Sequence, residues 1–390
     1  METIHQFSRP NRIGRLMQSE IRNMSIECDR VGGINLSQGI SNLPLSSFIK
    51  DGSIKAIEEG INYYTRYDGV QELREAIALK TNTYNNIKCD PSKNIIVSAG
   101  ATGAFYCACL ALLNPGDEVI MFEPYYGYHI NTLYAAEAIP VYVKMTPPAW
   151  TFKIADLEAV ITPRTKAIMI NTPSNPSGKV FTSEELDVLG DFCIRHDLFV
   201  FTDEIYEYFL YENKKHISPG SLEKFKGRTI TISGYSKTFS ITGWRVGYCI
   251  VPEELHDTIG YINDLVYVCS PSPFQYGVAK GIKELSTDFY LSIQDRFIKK
   301  RDLLCSVLKE VGIEPYKPDG AYYMLADVSK VPGKSSKDKA MHILNECKVA
   351  SVPGMAFYHD EGGENLVRFC FAKEEDELKI ACEQLLKLKF

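Results

Sequence analysis

The sequence predicts an α/β fold in which helices cover both faces of a mostly parallel sheet, with a smaller α+β domain beside it. Short apolar, β-rich runs alternate with helix-like stretches up to about residue 280, the order that a parallel sheet with crossover helices requires. Longer helical patterns dominate beyond that point. The 390 residues therefore indicate an N-terminal arm at 1–45, a large domain at 46–284 and a small C-terminal domain at 285–390.

The predicted strands of the large domain are short and apolar. They lie at 94–98, 118–122, 141–143, 167–171, 199–202 and 229–233. Helices are predicted at 104–113 and 184–196. Thr182, with Glu185 three residues later, gives the second helix the pattern of a capping box.

The C-terminal region is predicted to fold into a mixed unit. It contains a helix at 288–311, a strand at 322–327, a helix near 337–346, a strand at 366–371 and a final amphipathic helix. The arm is rich in Pro, Gly, Asn and Ser. We expect it to pack on the small domain, which it helps to build, or on a neighbouring chain.

Composition excludes several classes of protein. With 45% hydrophobic residues, 24% charged residues and a net charge of −6, the chain is an ordinary globular protein, and its dispersed Lys and Arg residues indicate no nucleic-acid partner. No apolar run approaches the roughly 20 residues of a membrane helix. The eleven cysteines show no zinc-ligand spacing, and no apolar leader precedes them. We therefore expect a cytoplasmic protein with reduced thiols and no metal.

Ligands of a parallel sheet bind beyond the carboxyl ends of its strands, so the residues after each predicted strand carry the functional information. After the first strand come Gly100, Ala101 and Thr102, which lead directly into a helix. Small residues allow a ligand to approach the backbone, and helix N-termini attract phosphate. The segment is compatible with a phosphate site. Considered alone, however, it favours the alternative, an ordinary turn between a strand and a helix.

Polar side chains follow two further strands. Asp203 and Tyr206 come after the strand at 199–202, and Asn175 lies in a proline-rich turn after the strand at 167–171. A carboxylate, a phenol and an amide in these positions can hydrogen-bond one ligand. The alternative for Asp203 and Tyr206 is a helix cap followed by a packing aromatic. The alternative for Asn175 is an ordinary loop.

The strand at 229–233 is followed by Ser236 and Lys237, and Arg245 comes eight residues after the lysine. A lysine among small and apolar residues is poorly placed as a solvated charge. Partial desolvation lowers the pKa of a lysine and suits its amine to imine chemistry. Arg245 adds a strong phosphate donor, and a surface Lys and Arg are the alternative.

Together, these strand ends supply a phosphate cradle, an acid, a phenol, an amide and an amine nucleophile. Pyridoxal phosphate needs a lysine for its Schiff base and a carboxylate for its pyridine nitrogen. The sequence therefore predicts pyridoxal 5'-phosphate as the cofactor and Lys237 as its attachment point.

Six segments, from about residue 30 onward, resemble the motifs of class I/II aminotransferases of fold type I and follow the family's order. They are YTRYDGVQELREAI (64–77), SAGATGA (98–104), INTPSNPSGKV (170–180), TDEIYEYF (202–209), SGYSKTFSITGWRVGY (233–248) and VRFCFA (367–372). The resemblance implies an aspartate-aminotransferase-like fold. It also implies ping-pong transfer of the α-amino group of an L-amino acid to a 2-oxo acid.

The resemblance implies a role for each matching residue. Lys237 would form the Schiff base and then move the substrate proton, while Asp203 would keep the pyridine nitrogen protonated. Tyr206 and Asn175 would hydrogen-bond the ring oxygen of the cofactor, and Tyr126 would stack on its ring. The groups that would hold the phosphate are Thr102, Arg245, the backbone of Gly100 and Ala101, and, more weakly, Ser236.

Substrate and subunit contacts are also implied. Arg368 would bind the substrate α-carboxylate, with Asn175 beside it, and Gly39 would line the substrate pocket. Tyr64 would reach the phosphate of a neighbouring subunit, which implies a homodimer with shared sites. Gly234 departs from the pattern, because some subgroups carry a phosphate-binding serine three residues before the lysine.

Two rival functions are also compatible with parts of this pattern. β-Elimination from cysteine conjugates and amino-acid oxidation use the same residues on this fold, so the motifs separate them poorly from amino transfer. A regulator that binds an effector with this fold carries an additional N-terminal helix-turn-helix domain, for which motifs starting near residue 30 leave no room.

The substrate side chain is left open by the sequence. An acidic substrate needs a second arginine, for which Arg15, Arg22 and Arg66 are candidates, and His129 is either a pocket residue or a surface residue. Tyrosines near the motifs indicate either an aromatic-accepting pocket or simple packing. They are Tyr63, Tyr64, Tyr67, Tyr125, Tyr126 and Tyr128.

Overall fold

The computed structural model describes residues 11–16, 18–41 and 44–390. Its N-terminal part contains a helix that the composition of the arm did not indicate. The elements before the larger sheet are α1 (Glu20–Arg30), β1 (Ile34–Asn35), α2 (Ser47–Glu58) and α3 (Gln71–Lys80).

A seven-stranded sheet forms the centre of the molecule. Its strands are β2 (Ile95–Ala99), β3 (Glu118–Glu123), β4 (Ile139–Lys144), β5 (Thr165–Asn171), β6 (Phe199–Asp203), β7 (Thr229–Gly234) and β8 (Val246–Ile250). They lie in the order β2-β8-β7-β6-β5-β3-β4, and β8 alone runs antiparallel to its two neighbours. The predicted α/β fold and its six strands are confirmed, whereas β8 was missed.

Helices pack on both faces of this sheet because its strands are apolar on both sides. The helices are α4 (Gly100–Leu112), α5 (Gly127–Ala135), α6 (Ile154–Val160), α7 (Ser183–Arg195), α8 (Glu253–Tyr267) and α9 (Ser272–Glu284). Side chains of α4, α5 and α8 share one apolar cluster with the sheet, and those of α6 and α7 share another. The predicted capping box at Thr182 and Glu185 is present at the start of α7.

A second, antiparallel sheet lies in the C-terminal part and runs in the order β12-β13-β10-β9. The elements of this part are α10 (Thr287–Glu310), β9 (Glu314–Tyr316), β10 (Tyr323–Asp327), α11 (Ser336–Cys347), β11 (Val349–Ala350), β12 (Val352–Pro353), β13 (Leu366–Cys370) and α12 (Glu375–Leu385). Strand β1 pairs in parallel with β11, so the N-terminal segment is joined to this C-terminal unit.

Strand direction brings the predicted site residues to one edge. Strands β2, β5, β6 and β7 point the same way, so the residues that follow their carboxyl ends meet there. Arg245, which precedes the antiparallel β8, reaches the same edge from the other direction. Within the described residues, no helix combines the length and the apolar character that crossing a bilayer requires.

Candidate active site

A cavity of about 240 Å³ opens at the carboxyl ends of the strands. Many of the predicted site residues contribute to its wall, which confirms that the strand ends converge. Those in the wall are Ala101, Thr102, Tyr126, Asn175, Asp203, Tyr206, Ser236, Lys237 and Arg245. Apolar side chains, among them Phe105, Met169 and Ile232, complete it.

Lys237 is a buried amine in this cavity. Its Nζ donates a hydrogen bond to the carbonyl oxygen of Gly39 at 3.1 Å. Burial lowers the pKa of Lys237 to about 8, and the positive charges of Arg245 and Arg368 act in the same direction, against the opposing effects of Cys370 and Asp203. A substantial fraction of the amine is therefore neutral near pH 8, the form that attacks a carbonyl.

One end of the cavity is built to hold an anion. Gly100 begins helix α4 with φ of +75°, and a Cβ there would lie 2.4 Å from a terminal guanidinium nitrogen of Arg245. Arg245 is held in place by its own bonds, since its Nη1 donates to the carbonyl oxygen of Thr242 at 2.9 Å. Ala101 and Thr102, in the first turn of α4, line the same cavity as Arg245. The N–H groups of a first helical turn have no partner within the helix and favour an anion.

The glycine that departs from the family pattern has a steric reason. Gly234, at the end of β7, faces Gly247 across the β7–β8 pair. A Cβ at Gly234 would lie 2.9 Å from the Cα of Gly247 and 3.1 Å from the carbonyl oxygen of Val246. A serine at position 234 would therefore require the two strands to move apart.

Asp203 also forms part of the cavity wall and is paired with His129. The Nε2 atom of His129 is 2.9 Å from Oδ2 of Asp203, and both side chains are buried. The imidazole is held by aromatic rings, with Tyr126 packed edge-on at 5.2 Å and Phe105 at 5.3 Å. His129 is thus a pocket residue, which settles the alternative that the sequence left open.

Tyr206 and Asn175 each connect the cavity to a residue of the C-terminal unit. The hydroxyl of Tyr206 lies 3.0 Å from the hydroxyl of Tyr323. The side-chain oxygen of Asn175 accepts a bond of 2.8 Å from Nη1 of Arg368. Nη2 of Arg368 donates to the carbonyl oxygen of Ser37 at 2.5 Å. The arginine is therefore fixed beside the cavity, through the Asn175 side chain that forms part of the cavity wall.

Gly39 and Tyr64 occupy different positions relative to the cavity. The backbone of Gly39 contacts the lysine amine, as described above, and also accepts a bond of 3.1 Å from the hydroxyl of Tyr322. Tyr64 has 78% of its surface exposed and lies outside the cavity wall in the single chain. Tyr64 is therefore not part of the cavity of its own chain.

The cavity thus brings together a buried amine, a carboxylate and a guanidinium. The comparisons with known proteins identify the family. The family model described as "Aminotransferase class I and II" matches residues 31–385. The chain belongs to the class I and II aminotransferase family.

Several relatives of this aminotransferase align over most of their length. Kynurenine–oxoglutarate transaminase 3 of Rattus norvegicus is 34% identical, with 90% of this chain and 84% of the relative covered. Aspartate aminotransferase of Pyrococcus abyssi is 34% identical, with 97% of both covered. A methionine aminotransferase from Escherichia coli, known from its crystal structure, has a TM-score of 0.93 and 30% identity, with 98% of this chain and 100% of that chain covered.

These findings establish the activity. The protein is a pyridoxal-phosphate-dependent aminotransferase that transfers the amino group of an amino acid to a 2-oxo acid. The expected ping-pong sequence follows, in which the first amino acid leaves as a 2-oxo acid before a second 2-oxo acid receives the amino group.

One residue beside the site, Tyr323, was not identified from the sequence. It gave no sequence signal, because it lies far along the chain from Tyr206, which it contacts. His129, which the sequence left open, lies three residues after Tyr126, the residue that precedes α5, and the two rings are in contact.

None of the candidate second arginines belongs to the cavity wall. Arg66 forms an ion pair of 2.7 Å with Asp68, while Arg15 and Arg22 are exposed. Of the tyrosines, Tyr126 and Tyr128 line the cavity and stack on each other at 5.3 Å, whereas Tyr125 is buried in the core. Tyr125 therefore packs in the core, whereas Tyr126 and Tyr128 form part of the cavity wall.

Proposed function

We propose that Lys237 is the attachment point of pyridoxal phosphate and that the surrounding cavity holds both the cofactor and the amino acid. The observation that carries this proposal is the position of the Lys237 amine. It is buried, its pKa is lowered to about 8, and it shares one cavity with Asp203 and Arg245. The three groups match three parts of the cofactor. The amine would react with its aldehyde, the acid would bind its ring nitrogen, and the anion site would bind its phosphate.

The residues fit the cofactor part by part. The N-terminus of α4, from Gly100 to Thr102, and the Arg245 guanidinium would bind the phosphate, with Ser236 also in the wall. Glycine at position 100 leaves room for the Arg245 guanidinium, because a Cβ there would collide with it. Asp203 would bind the protonated ring nitrogen. Asn175 and Tyr206 would hydrogen-bond the ring oxygen, and Tyr126 would stack on the ring.

When bound, pyridoxal phosphate supplies an aldehyde that condenses with amines and a ring that accepts the electrons of the substrate Cα–H bond. The protein residues would control where protons reside. Asp203, oriented by His129 at 2.9 Å, would hold the proton on the ring nitrogen. Lys237, once its amine is released, would take the proton from the substrate Cα, a task suited to a base with a pKa near the working pH.

Arg368 would bind the α-carboxylate of the amino acid. It is fully buried, and within the described part of the chain its Nε has no hydrogen-bond partner. A buried guanidinium nitrogen without a partner is unfavourable, and a carboxylate would satisfy it with a charge-assisted bond. Asn175, which already bonds to Arg368, would orient the same carboxylate.

We expect the rate at which the cofactor-free enzyme captures pyridoxal phosphate to rise with pH and to level off above about 8. The neutral amine is the nucleophile, and burial lowers the pKa of Lys237 to about 8. An exposed lysine would continue to gain reactivity up to about pH 10.4. Stopped-flow absorbance gives the rate, and borohydride reduction with peptide mapping identifies the lysine. A label on a different lysine would refute the proposal.

We infer that the enzyme is a homodimer in which Tyr64 of one subunit reaches the phosphate site of the other. The exposure of two neighbouring aromatic side chains supports the inference, since Tyr63 is 67% and Tyr64 is 78% exposed. The hydroxyl of Ser272, at the start of α9, donates to the carbonyl oxygen of Tyr63 at 2.6 Å and so holds this segment in place.

Mixed dimers test this sharing of sites. Lys237→Ala and Tyr64→Ala subunits, denatured and refolded together, place both defects in one site and leave the other intact. We expect the mixture to recover about a quarter of wild-type activity, because half of the dimers are mixed and each has one working site. Each variant refolded alone is the control, and a mixture no more active than the average of the two controls would contradict shared sites.

The domain boundaries and the compartment are also proposals. The large domain at 46–284 ends with α9, and the small domain at 285–390 begins just before α10, which supports a boundary between these helices. Limited proteolysis that never cuts between 284 and 287 would argue against it.

All eleven cysteines are free, which supports a reducing, cytoplasmic location, and fractionation of the source cells would test this.

A further inference from the structure

Tyr323, on β10, is a buried phenol without a role in the function proposed above. Its hydroxyl lies 3.0 Å from that of Tyr206, and the two rings meet at 83° with their centroids 5.7 Å apart. Each phenol carries a single proton. The direction of this hydrogen bond therefore decides what Tyr206 has left to donate.

Gly39 makes the space that the Tyr323 hydroxyl occupies. A Cβ at Gly39 would lie 1.7 Å from the Tyr323 oxygen, a distance that no side chain tolerates. The carbonyl oxygen of the same glycine accepts the hydrogen bond of Lys237. The Tyr323 hydroxyl thus lies beside the glycine whose carbonyl oxygen holds the lysine amine.

Arg368 gives Tyr323 the character of a strong donor. The guanidinium lies 4.2 Å from the centroid of the Tyr323 ring. A nearby cation favours the ionised form of a phenol and so strengthens its O–H as a donor. Burial raises the pKa of Tyr323 to about 12, with Arg368 opposing the rise. Burial also raises the pKa of Tyr206 well above its usual value, so Tyr206 keeps its proton.

We propose that Tyr323 is a positioning residue that donates its proton to the Tyr206 oxygen and so commits the Tyr206 proton to the ring oxygen of the cofactor. This rests on the role proposed above for Tyr206. A hydroxyl that accepts a hydrogen bond is polarised by it and donates more strongly. In the reverse direction, Tyr206 would give its proton to Tyr323, and the ring oxygen would lose a donor.

The test removes the hydroxyl and keeps the ring. In the cofactor-loaded Tyr323→Phe enzyme, we expect the pH midpoint of the cofactor's visible absorbance to rise by about 0.2 to 0.5 unit, because Tyr206 still donates to the ring oxygen but is no longer polarised by Tyr323. The ring oxygen, less well stabilised as an anion, would retain the nearby proton to higher pH. We also expect kcat to fall about 3- to 10-fold with KM for the amino donor nearly unchanged, because the ring under Arg368 remains.

Two companion variants make the result specific. Tyr211→Phe removes another buried hydroxyl, which bonds to the carbonyl oxygen of Ala321 outside the cavity wall, and should leave the midpoint unchanged. Tyr206→Phe should shift the midpoint at least as far as Tyr323→Phe, and the double variant should shift it no further.

The possible outcomes separate the inference from the proposed function. If Tyr206→Phe shifts the midpoint and Tyr323→Phe does not, the positioning role of Tyr323 is wrong while the role of Tyr206 stands. An unchanged midpoint in Tyr206→Phe would overturn both. A rise in KM without a change in midpoint would show that Tyr323 acts only as a support for Arg368. Affinity of the cofactor-free variants for pyridoxal phosphate provides a readout that does not depend on turnover.

Discussion

Replacing Lys237 by alanine is expected to lower kcat for amino transfer by about 10⁴-fold or more. The variant loses both the amine that attaches the cofactor and the base that would move the substrate proton. Asp203, Arg245 and the N-terminus of α4 remain, so the cofactor should still bind but without a covalent link. Single-turnover kinetics and the loss of the bound cofactor's characteristic absorbance measure the two effects separately.

A matched control is available among the exposed lysines. Lys226 has a side chain that is 76% exposed and forms only a long ion pair of 3.8 Å with Glu223. Lys226→Ala should therefore retain wild-type kcat and absorbance. If Lys237→Ala kept more than about a hundredth of the wild-type rate, the base would have to be a different group, because one positioned acid–base residue accounts for 10²- to 10⁴-fold.

The second large effect is expected at Asp203. In the Asp203→Asn variant, we expect kcat to fall about 10²- to 10³-fold, the range found when one buried electrostatic contact to the reacting system is removed. Asparagine preserves the shape and can still contact His129 at the present 2.9 Å separation, but it lacks the negative charge that would hold the ring-nitrogen proton. Steady-state kinetics should show the loss mainly in kcat.

The opposite end of the same strand supplies the control. Asp197 lies just before β6, with a side chain that is 98% exposed, and pairs with Arg228 at 3.4 Å. Asp197→Asn changes the net charge by the same amount and should leave kcat within about two-fold, as exposed ion pairs contribute little. An Asp203→Asn enzyme as active as Asp197→Asn would show that the reaction does not depend on this carboxylate.

Much of the fold and the site could be predicted because the signals are local. Each parallel strand is a short apolar run followed by small or polar residues, as at Gly100, Asn175 and Asp203, and parallel strands bring such ends together. Lys237 could be assigned because its neighbours are small or apolar, which is unusual for a lysine that remains in water.

Features that depend on distant contacts could not be predicted in this way. Strand β8 follows Arg245 directly and contains Gly247, so its short run lacked the bounds that identify a strand. The Tyr206–Tyr323 contact joins residues 117 positions apart, and neither residue has a periodic pattern that reveals the other. The reason for glycine at positions 39 and 234 is likewise visible only once the opposing atoms are placed.

The hydrogen bonds of residues 34–39 have a consequence for biosynthesis. Ile34 and Asn35 pair with Val349 and Ala350, and the carbonyl oxygens of Ser37 and Gly39 hold Arg368 and Lys237. A nascent chain has made its arm long before the ribosome delivers strands β11 and β13. The pairing of β1 with β11 and the contact of Ser37 with Arg368 therefore cannot form until translation has passed Arg368.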